Sequence, residues 1–261
     1  MQVSLNDPAF VKEQYRNGAN LDARIALHAR FSTAARALPE WIFDQFDFQP
    51  DARVLEIGCG MGVLWRANRA RVPVTWQLTL TDFSFGMAET ARAAGVVANF
   101  AQCDAQAIPF RDTSFDAVIA NHMLYHVPDI YRALGEIRHA LKSGGKLYAA
   151  TNSVNHMREL DEFTEEFGVV PASASLQFTL ENGEEILSKY FSSVRRIDFV
   201  DALMVTEVDP LMAYILSMSS AKEMRGRAAE KRLRQVISDR IARDGAFRIT
   251  KAAGLFIARA D

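Results

Sequence analysis

From about residue 53 the chain alternates short, almost unbroken apolar runs with stretches of helical period. "RVLEI" (53–57), "WQLTLTD" (76–82), "NFAQCDA" (99–105), "FDAVIAN" (115–121) and "KLYAAT" (146–151) read as strands. Near-continuous apolar strands separated by single helices predict a parallel sheet covered on both faces. Helix signals follow the first strand to about Ala70, and Ser84 is placed to cap a helix running to Ala94, where Gly95 ends it. The clearest helix follows Asp129. Ile130, Leu134, Ile137 and Leu141 recur at spacings of 4, 3 and 4, which marks one buried face. Lys142 falls in its last turn and Gly144-Gly145 is its stop.

After residue 152 the rhythm changes. Helices are expected around 155–168 and 181–191, then strand-like "VRRIDFV" (194–200) and a helix over about 208–218. Thr206 is in place to cap that helix, with Asp209 at the capping-box position. A charged helical stretch then runs to about 243, and "GLFIARA" (254–260) is the last strand. The expected fold class is α/β: a doubly wound, mostly parallel, seven-stranded Rossmann-like sheet with helices on both faces and helical insertions late in the chain.

Composition narrows the class only a little. With 261 residues, 49% of them hydrophobic, the chain can bury a sizeable core without a disulfide or metal staple. A formal net charge of −2 argues against a strongly basic nucleic-acid surface. The mixed charges of "EMRGRAAEKRLRQVISDRIARD" (223–244) read as a solvated face. Cys59 and Cys103 sit in apolar surroundings and are expected to be buried thiols of a cytoplasmic protein. "MQVSLNDPAF" lacks the pattern of a signal peptide, and the longest uncharged apolar segment, Pro210 to Ala221, is too short to span a bilayer.

The candidate chemistry starts at "VLEIGCGMGVLW" (54–65), where Gly58, Gly60 and Gly62 directly follow a strand and open a helix. In doubly wound sheets ligands bind at the carboxyl ends of the strands, and glycines there admit a ligand to the backbone. The dinucleotide fingerprint G-x-G-x-x-G requires a third glycine where this chain has Val63. Asp82, at the end of the second strand, stands where an acid can hydrogen-bond ribose hydroxyls. A ribose-containing ligand fits this pattern better than a pyrophosphate.

With these residues in view, the chain resembles the class I S-adenosylmethionine-dependent methyltransferases, in particular the small-molecule subgroup of ubiquinone/menaquinone type. "EIGCGMG" is similar to the family's E-x-G-x-G-x-G loop and "TDFSFGM" (81–87) to its second-strand end. "CDAQAIPF" (103–110), "FDAVIANHMLYHVPD" (115–129) and "LKSGGKLY" (141–148) match in family order. The resemblance implies that Gly58, Gly60 and Gly62 let the backbone approach S-adenosyl-L-methionine, and that Glu56 holds the loop. It implies that Asp82 takes the ribose hydroxyls, Phe83 covers an adenine face, Asp104 and the Ala105 amide read the adenine, and Asn121 lies beside the methionine portion. Each has a plainer alternative: Asp82 and Asp104 as helix caps, Phe83 as core.

Methyl transfer from a sulfonium needs an aligned acceptor, exclusion of water and, for some acceptors, a base. "HMLYH" (122–126) offers His122 and His126 as catalytic candidates and Tyr125 as a substrate contact. A structural hydrogen-bonding role is the stronger reading for His126. No third ligand accompanies the two histidines, so no metal is expected. One domain is expected over 1–261. Residues 1–45 would form an N-terminal helical lid, 50–152 the cofactor-binding half, and 153–261 the substrate-side insertions and last strands. In the lid, Tyr15 would close over the cofactor and His28 would point to the substrate. Substrate choice is expected to rest on the insertions, with His156, Met157, Phe163 and Phe167 in the first and Met212 on the apolar stripe of the second.

The leading expectation is a methyltransferase acting at O, N or C of a small, aromatic or heteroaromatic molecule, as a monomer or homodimer, with no nucleic-acid partner and no membrane span. The competing readings are a non-catalytic S-adenosylmethionine-binding partner protein, a tRNA methyltransferase and, against Val63, a nicotinamide-dependent oxidoreductase.

Overall fold

The computed structural model describes residues 19–169 and 176–261. The strands are β1 (Arg53–Ile57), β2 (Gln77–Asp82), β3 (Asn99–Gln102), β4 (Phe115–Ile119), β5 (Leu141–Asn152), β6 (Ser193–Val205) and β7 (Phe247–Arg259). They form one sheet in the order β3-β2-β1-β4-β5-β7-β6. The first five are parallel, while β7 runs antiparallel to both β5 and β6. The chain order reverses between β1 and β4, so a crevice opens there at the carboxyl ends of the strands.

Side-chain alternation explains the two covered faces. Leu55, Val118, Leu147 and Ala149 point to one face, where they pack with Ile130, Ala133, Leu134 and Ile137 of helix α5 (Ile130–Ala140). Val54, Ala117, Ile119, Tyr148 and Ala150 point to the other, against Ile42 and Phe43 of α2 (Leu38–Phe43) and Leu64 and Trp65 of α3 (Val63–Ala67). The Asp129 side chain accepts the Arg132 N–H and so caps α5 as its position predicts.

A second core forms past the strand ends. β7 pairs with β5 only from Ala253 onward, so residues 247–252 continue with β6 alone as a two-stranded ribbon beyond the carboxyl end of β5. The remaining helices are α1 (Ala19–Phe31), α4 (Phe85–Ala93), α6 (Arg158–Glu165), α7 (Gly183–Leu187), α8 (Val208–Leu216) and α9 (Ala228–Asp244). Leu27 and Phe31 of α1, Leu160 of α6, Leu211, Met212 and Ile215 of α8, and Leu233 and Ile237 of α9 pack around Leu203, Val205, Phe247 and Ile249 of the ribbon.

Several local expectations differ from the structure. The helix after β1 ends at Ala67, not near Ala70. The helices expected at 155–168 and 181–191 shorten to α6 and α7, and the two last strands are each 13 residues long. Their outer halves escaped notice because they carry polar residues among the apolar ones. Ser84 holds the N-cap position of α4 without a capping bond from its side chain. Lys142 lies in β5, and its ammonium pairs with Asp116 at 2.7 Å. Thr206 and Asp209 form no capping box. Glu207 is the N-cap residue of α8, and Asp209 pairs with Arg234 of α9. Sequence spacing shows which residues are able to cap, but a stronger charged partner brought close by the fold takes the side chain first. Among the described residues no helix is long and apolar enough to cross a membrane.

Candidate active site

The three glycines of the loop after β1 all adopt left-handed backbone angles, with φ of +70°, +54° and +68°. Their surroundings differ. A Cβ on Gly58 would stand 2.8 Å from the Cβ of Met123 in the loop after β4, and one on Gly62 would stand 3.1 Å from the Cβ of Ala91 in α4. These two glycines let the loop nest against its neighbours. A Cβ on Gly60 would meet nothing within 4 Å, so this is the glycine whose outer face is open to a ligand. Gly58 and Gly62 also answer an internal packing demand that the sequence does not display.

Asp82 closes β2 beside this loop. One carboxylate oxygen accepts the Gly60 N–H at 2.8 Å and the other accepts the Ser84 N–H at 2.8 Å. Burial pushes its pKa up, and the two backbone donors counter that. Each oxygen accepts one bond in this arrangement and retains capacity for a second. Glu56, only 3% exposed, accepts the Trp65 indole N–H at 2.6 Å and thereby ties β1 to α3. Burial raises its pKa to about 7, with the Asp82 charge adding to the rise and the indole bond opposing it.

Phe83 is half-buried, and its carbonyl accepts from the Gln102 amide at the end of β3. Asp104 follows β3 and accepts from the backbone and side chain of Gln106, while Ala105 is buried. The Cys103 N–H donates to the Asp82 carbonyl at 3.0 Å, which holds the ends of β2 and β3 together. Asp82, Phe83, Asp104 and Ala105 thus sit together just past the ends of β2 and β3. Cys59 and Cys103 are free, buried thiols, the latter pushed up to about 11 by burial, so neither is a ready nucleophile.

Past β4 the crevice becomes rich in imidazole. Asn121 and His122 follow the strand, and the His122 N–H donates to the Ala150 carbonyl of β5. His122 adopts a left-handed backbone, φ +53°, which is uncommon for a residue with a side chain. The Oδ1 of Asn121 and the Nε2 of His122 are shut off from solvent and have no hydrogen-bond partner, and the same holds for Nδ1 of His28 on α1. The His28 ring lies 6.4 Å from that of His156 and 6.0 Å, edge-on, from that of Tyr214. His156 follows β5, and its Nδ1 accepts the Ala252 N–H of the ribbon at 3.2 Å. Burial lowers the pKa of His28 and His156 to about 3 and of His122 to about 4, and the neighbouring Lys251 ammonium depresses all three further. They are neutral at physiological pH.

Two charged residues that the sequence reading passed over hold this end together. Asp201 and Lys251 face each other across β6 and β7, both 7% exposed, and their side chains form an ion pair. The Asp201 carboxylate also accepts from the Ser32 hydroxyl at 2.6 Å, the Thr33 N–H at 3.0 Å and the Ala34 N–H at 2.9 Å. Burial alone would raise its pKa; the bonds from Lys251 and Ser32 hold it down to about 2. A lysine directly before the apolar run from Ala252 to Ala258 was the available signal.

Of the remaining candidates, the His126 ring packs against that of Tyr125 at 4.6 Å, and Tyr125 lies against the core on the α5 face. Met212 is 1% exposed within the second core, among Leu27, Leu211 and Ile215. Tyr15 falls outside the described residues. Among the described residues no cluster of His, Cys, Asp and Glu has the arrangement of a metal site.

Comparison with known proteins agrees with this geometry. Residues 55–149 match the family model described as methyltransferase domain. The ubiquinone/menaquinone biosynthesis C-methyltransferase UbiE of Bordetella avium is 37% identical over 103 residues, 38% of this chain and 40% of that protein. The malonyl-[acyl-carrier protein] O-methyltransferase of Erwinia pyrifoliae is 31% identical over 116 residues, 44% of this chain and 43% of that protein. The matched region thus spans well under half of these relatives. The structure of phosphoethanolamine N-methyltransferase 2 of Haemonchus contortus in complex with S-adenosyl-L-methionine superposes with a TM-score of 0.60, at 20% identity, over 99% of this chain and 60% of that one. Sheet order, glycine loop and sequence match agree: residues 55–149 match a methyltransferase domain, and they lie on a Rossmann-like seven-stranded sheet.

Proposed function

We propose that this protein transfers a methyl group from S-adenosyl-L-methionine to O, N or C of a small, aromatic or heteroaromatic molecule. The observation that carries the reading is the pairing of Asp82 with Gly60. A carboxylate with spare acceptor capacity is held against the one loop glycine whose outer face is open. The buried, unpartnered Oδ1 of Asn121 lies further along the same crevice and can accept from an amino group. These residues fit the cofactor: Asp82 for the ribose hydroxyls, Asp104 and the Ala105 amide for the adenine edge, Phe83 for its face, and Asn121 for the methionine portion. When bound, the cofactor supplies a methyl group activated by its positively charged sulfur.

The chain's own part is then to bind, align and exclude water. A histidine with a pKa of about 4 is available at neutral pH as an acceptor of a hydrogen bond, but it is a weak base. We infer that His122 orients the acceptor rather than removing its proton. The test is calorimetric titration with S-adenosylhomocysteine and with NAD. The homocysteine compound should bind and NAD should not. Asp82→Ala should weaken that binding about tenfold or more, since hydrogen bonds to a charged group are worth roughly 1.5–3 kcal/mol. Unchanged affinity would remove the ribose assignment.

A further inference from the structure

Three neutral imidazoles gathered at one end of a crevice are an unusual lining, and their hydrogen-bonding senses can be read individually. Because Nδ1 of His156 accepts the Ala252 N–H, the proton of its neutral ring sits on Nε2, which makes that nitrogen a donor. The Nδ1 of His28 and the Nε2 of His122 are buried without partners, as is the Oδ1 of Asn121. The amide oxygen is the acceptor already assigned to the cofactor, and each ring nitrogen accepts or donates according to which of the two carries the proton. Of the full charges that act on His28, Lys251 and Asp201 pair with each other, and the Arg24 guanidinium donates to the Ser217 hydroxyl at 3.3 Å. The three rings therefore offer donor and acceptor together and carry no charge of their own. A carboxylate or phosphate can use only the donating tautomers and an ammonium only the accepting ones, and each brings a charge that the neutral rings do not offset. A hydroxyl both donates and accepts.

Resting on the methyltransferase reading above, we propose that His28, His122 and His156 form the acceptor subsite and recognise an uncharged hydroxyl of the substrate, phenolic or alcoholic, whichever atom receives the methyl group. The placement supports this. His122 follows β4 and His156 follows β5, on the far side of the crevice from Asp82 and Asp104, which follow β2 and β3. His28 comes from α1, its ring 6.4 Å from that of His156 and 6.0 Å, edge-on, from that of Tyr214. α1 is fixed there because the residues directly after it, Ser32 to Ala34, are bound by Asp201, and Ser32 bridges Leu203 on the edge of the ribbon.

The experiment compares three one-ring probes at pH 7.5, phenol, benzoate and benzylamine, by saturation-transfer NMR and calorimetry. It is run on the full chain with and without saturating S-adenosylhomocysteine. Phenol should bind roughly tenfold tighter than either charged probe, the scale of one or two unmatched buried polar groups. His156→Ala and His122→Ala should each weaken phenol binding several-fold and leave S-adenosylhomocysteine affinity unchanged. Long-range nitrogen–proton NMR of the unaltered protein is independent of any folding defect in the variants, and phenol should move the ring-nitrogen signals of His28, His122 and His156. Equal or tighter binding of benzoate or benzylamine, absence of phenol binding, or unmoved imidazole signals would overturn the hydroxyl assignment. Failure of S-adenosylhomocysteine to bind while phenol is still preferred would overturn the cofactor reading and leave the subsite standing.

Discussion

A Cβ is a small probe of what each loop glycine does. At Gly58 it would meet Met123 at 2.8 Å, and at Gly60 it would meet nothing, although both backbones are left-handed. Gly60→Ala should therefore cost only the left-handed strain, about 1–2 kcal/mol, while lowering cofactor affinity. Gly58→Ala adds a steric clash and should destabilise more, with less effect on affinity per folded molecule. Urea denaturation and cofactor titration on both variants separate the two roles. Equal stability losses would mean that the Met123 contact relaxes freely. His122 gives a second prediction at this scale. With its pKa near 4 it stays neutral from pH 6 to 8, so His122→Asn should lower turnover without moving any inflection of the pH–rate profile in that range. An inflection near 6.5 that the variant abolishes would restore the general-base role.

Between elements, the Asp201–Lys251 pair acts as the clasp of the second core. It joins β6 to β7 and, through Ser32, Thr33 and Ala34, fastens the end of α1 to the ribbon. With side-chain exposures of 6% and 0%, neither charge can turn to water when its partner is removed. Asp201→Ala should destabilise the protein by about 3–5 kcal/mol, read as a lower urea midpoint. Asp201→Leu combined with Lys251→Met should recover much of that loss, because it removes both charges from the interior. A double variant no more stable than Asp201→Ala would show that the α1 hydrogen bonds, not the stranded lysine, dominate.

For the molecule as a whole, the same imidazoles set a pH dependence. His28, His122 and His156 have folded pKa values of about 3, 4 and 3 against an ordinary 6.5. Between pH 6.5 and those values the unfolded chain binds protons that the folded chain does not, so stability is complete above 6.5 and falls as the pH drops. Asp201, held near 2, adds its own loss only below the ordinary carboxylate range. Glu56, raised to about 7, works oppositely and favours the folded state less as pH rises from 4.5 to 7. The prediction is a urea midpoint that falls steeply from pH 6.5 to 4, and a visibly shallower fall in His28→Gln with His156→Gln. Parallel slopes in the two proteins would place the acid sensitivity elsewhere.

What the sequence determined by itself was the matter of local period and fixed spacing. The apolar runs located all seven strands, the 4-3-4 spacing located α5 and its Asp129 cap, and the loop from Glu56 to Gly62 with Asp82 pointed to the carboxyl ends of β1 and β2. Each is written within a few residues of chain, where backbone geometry repeats regularly. His122, beside the fourth strand, was legible for the same reason. Only the tertiary structure decided which glycine is open and which are packed, that Asp209 pairs with Arg234 instead of capping, and that Met212 is core. It alone brought His28, His156, Asp201 and Lys251 together from four distant stretches of chain. Proximity of that kind depends on how β6 and β7 overrun the sheet and on where α1 docks, and no local period encodes either. The pKa values that make the imidazoles neutral follow from burial, which a side chain acquires only once its neighbours have arrived.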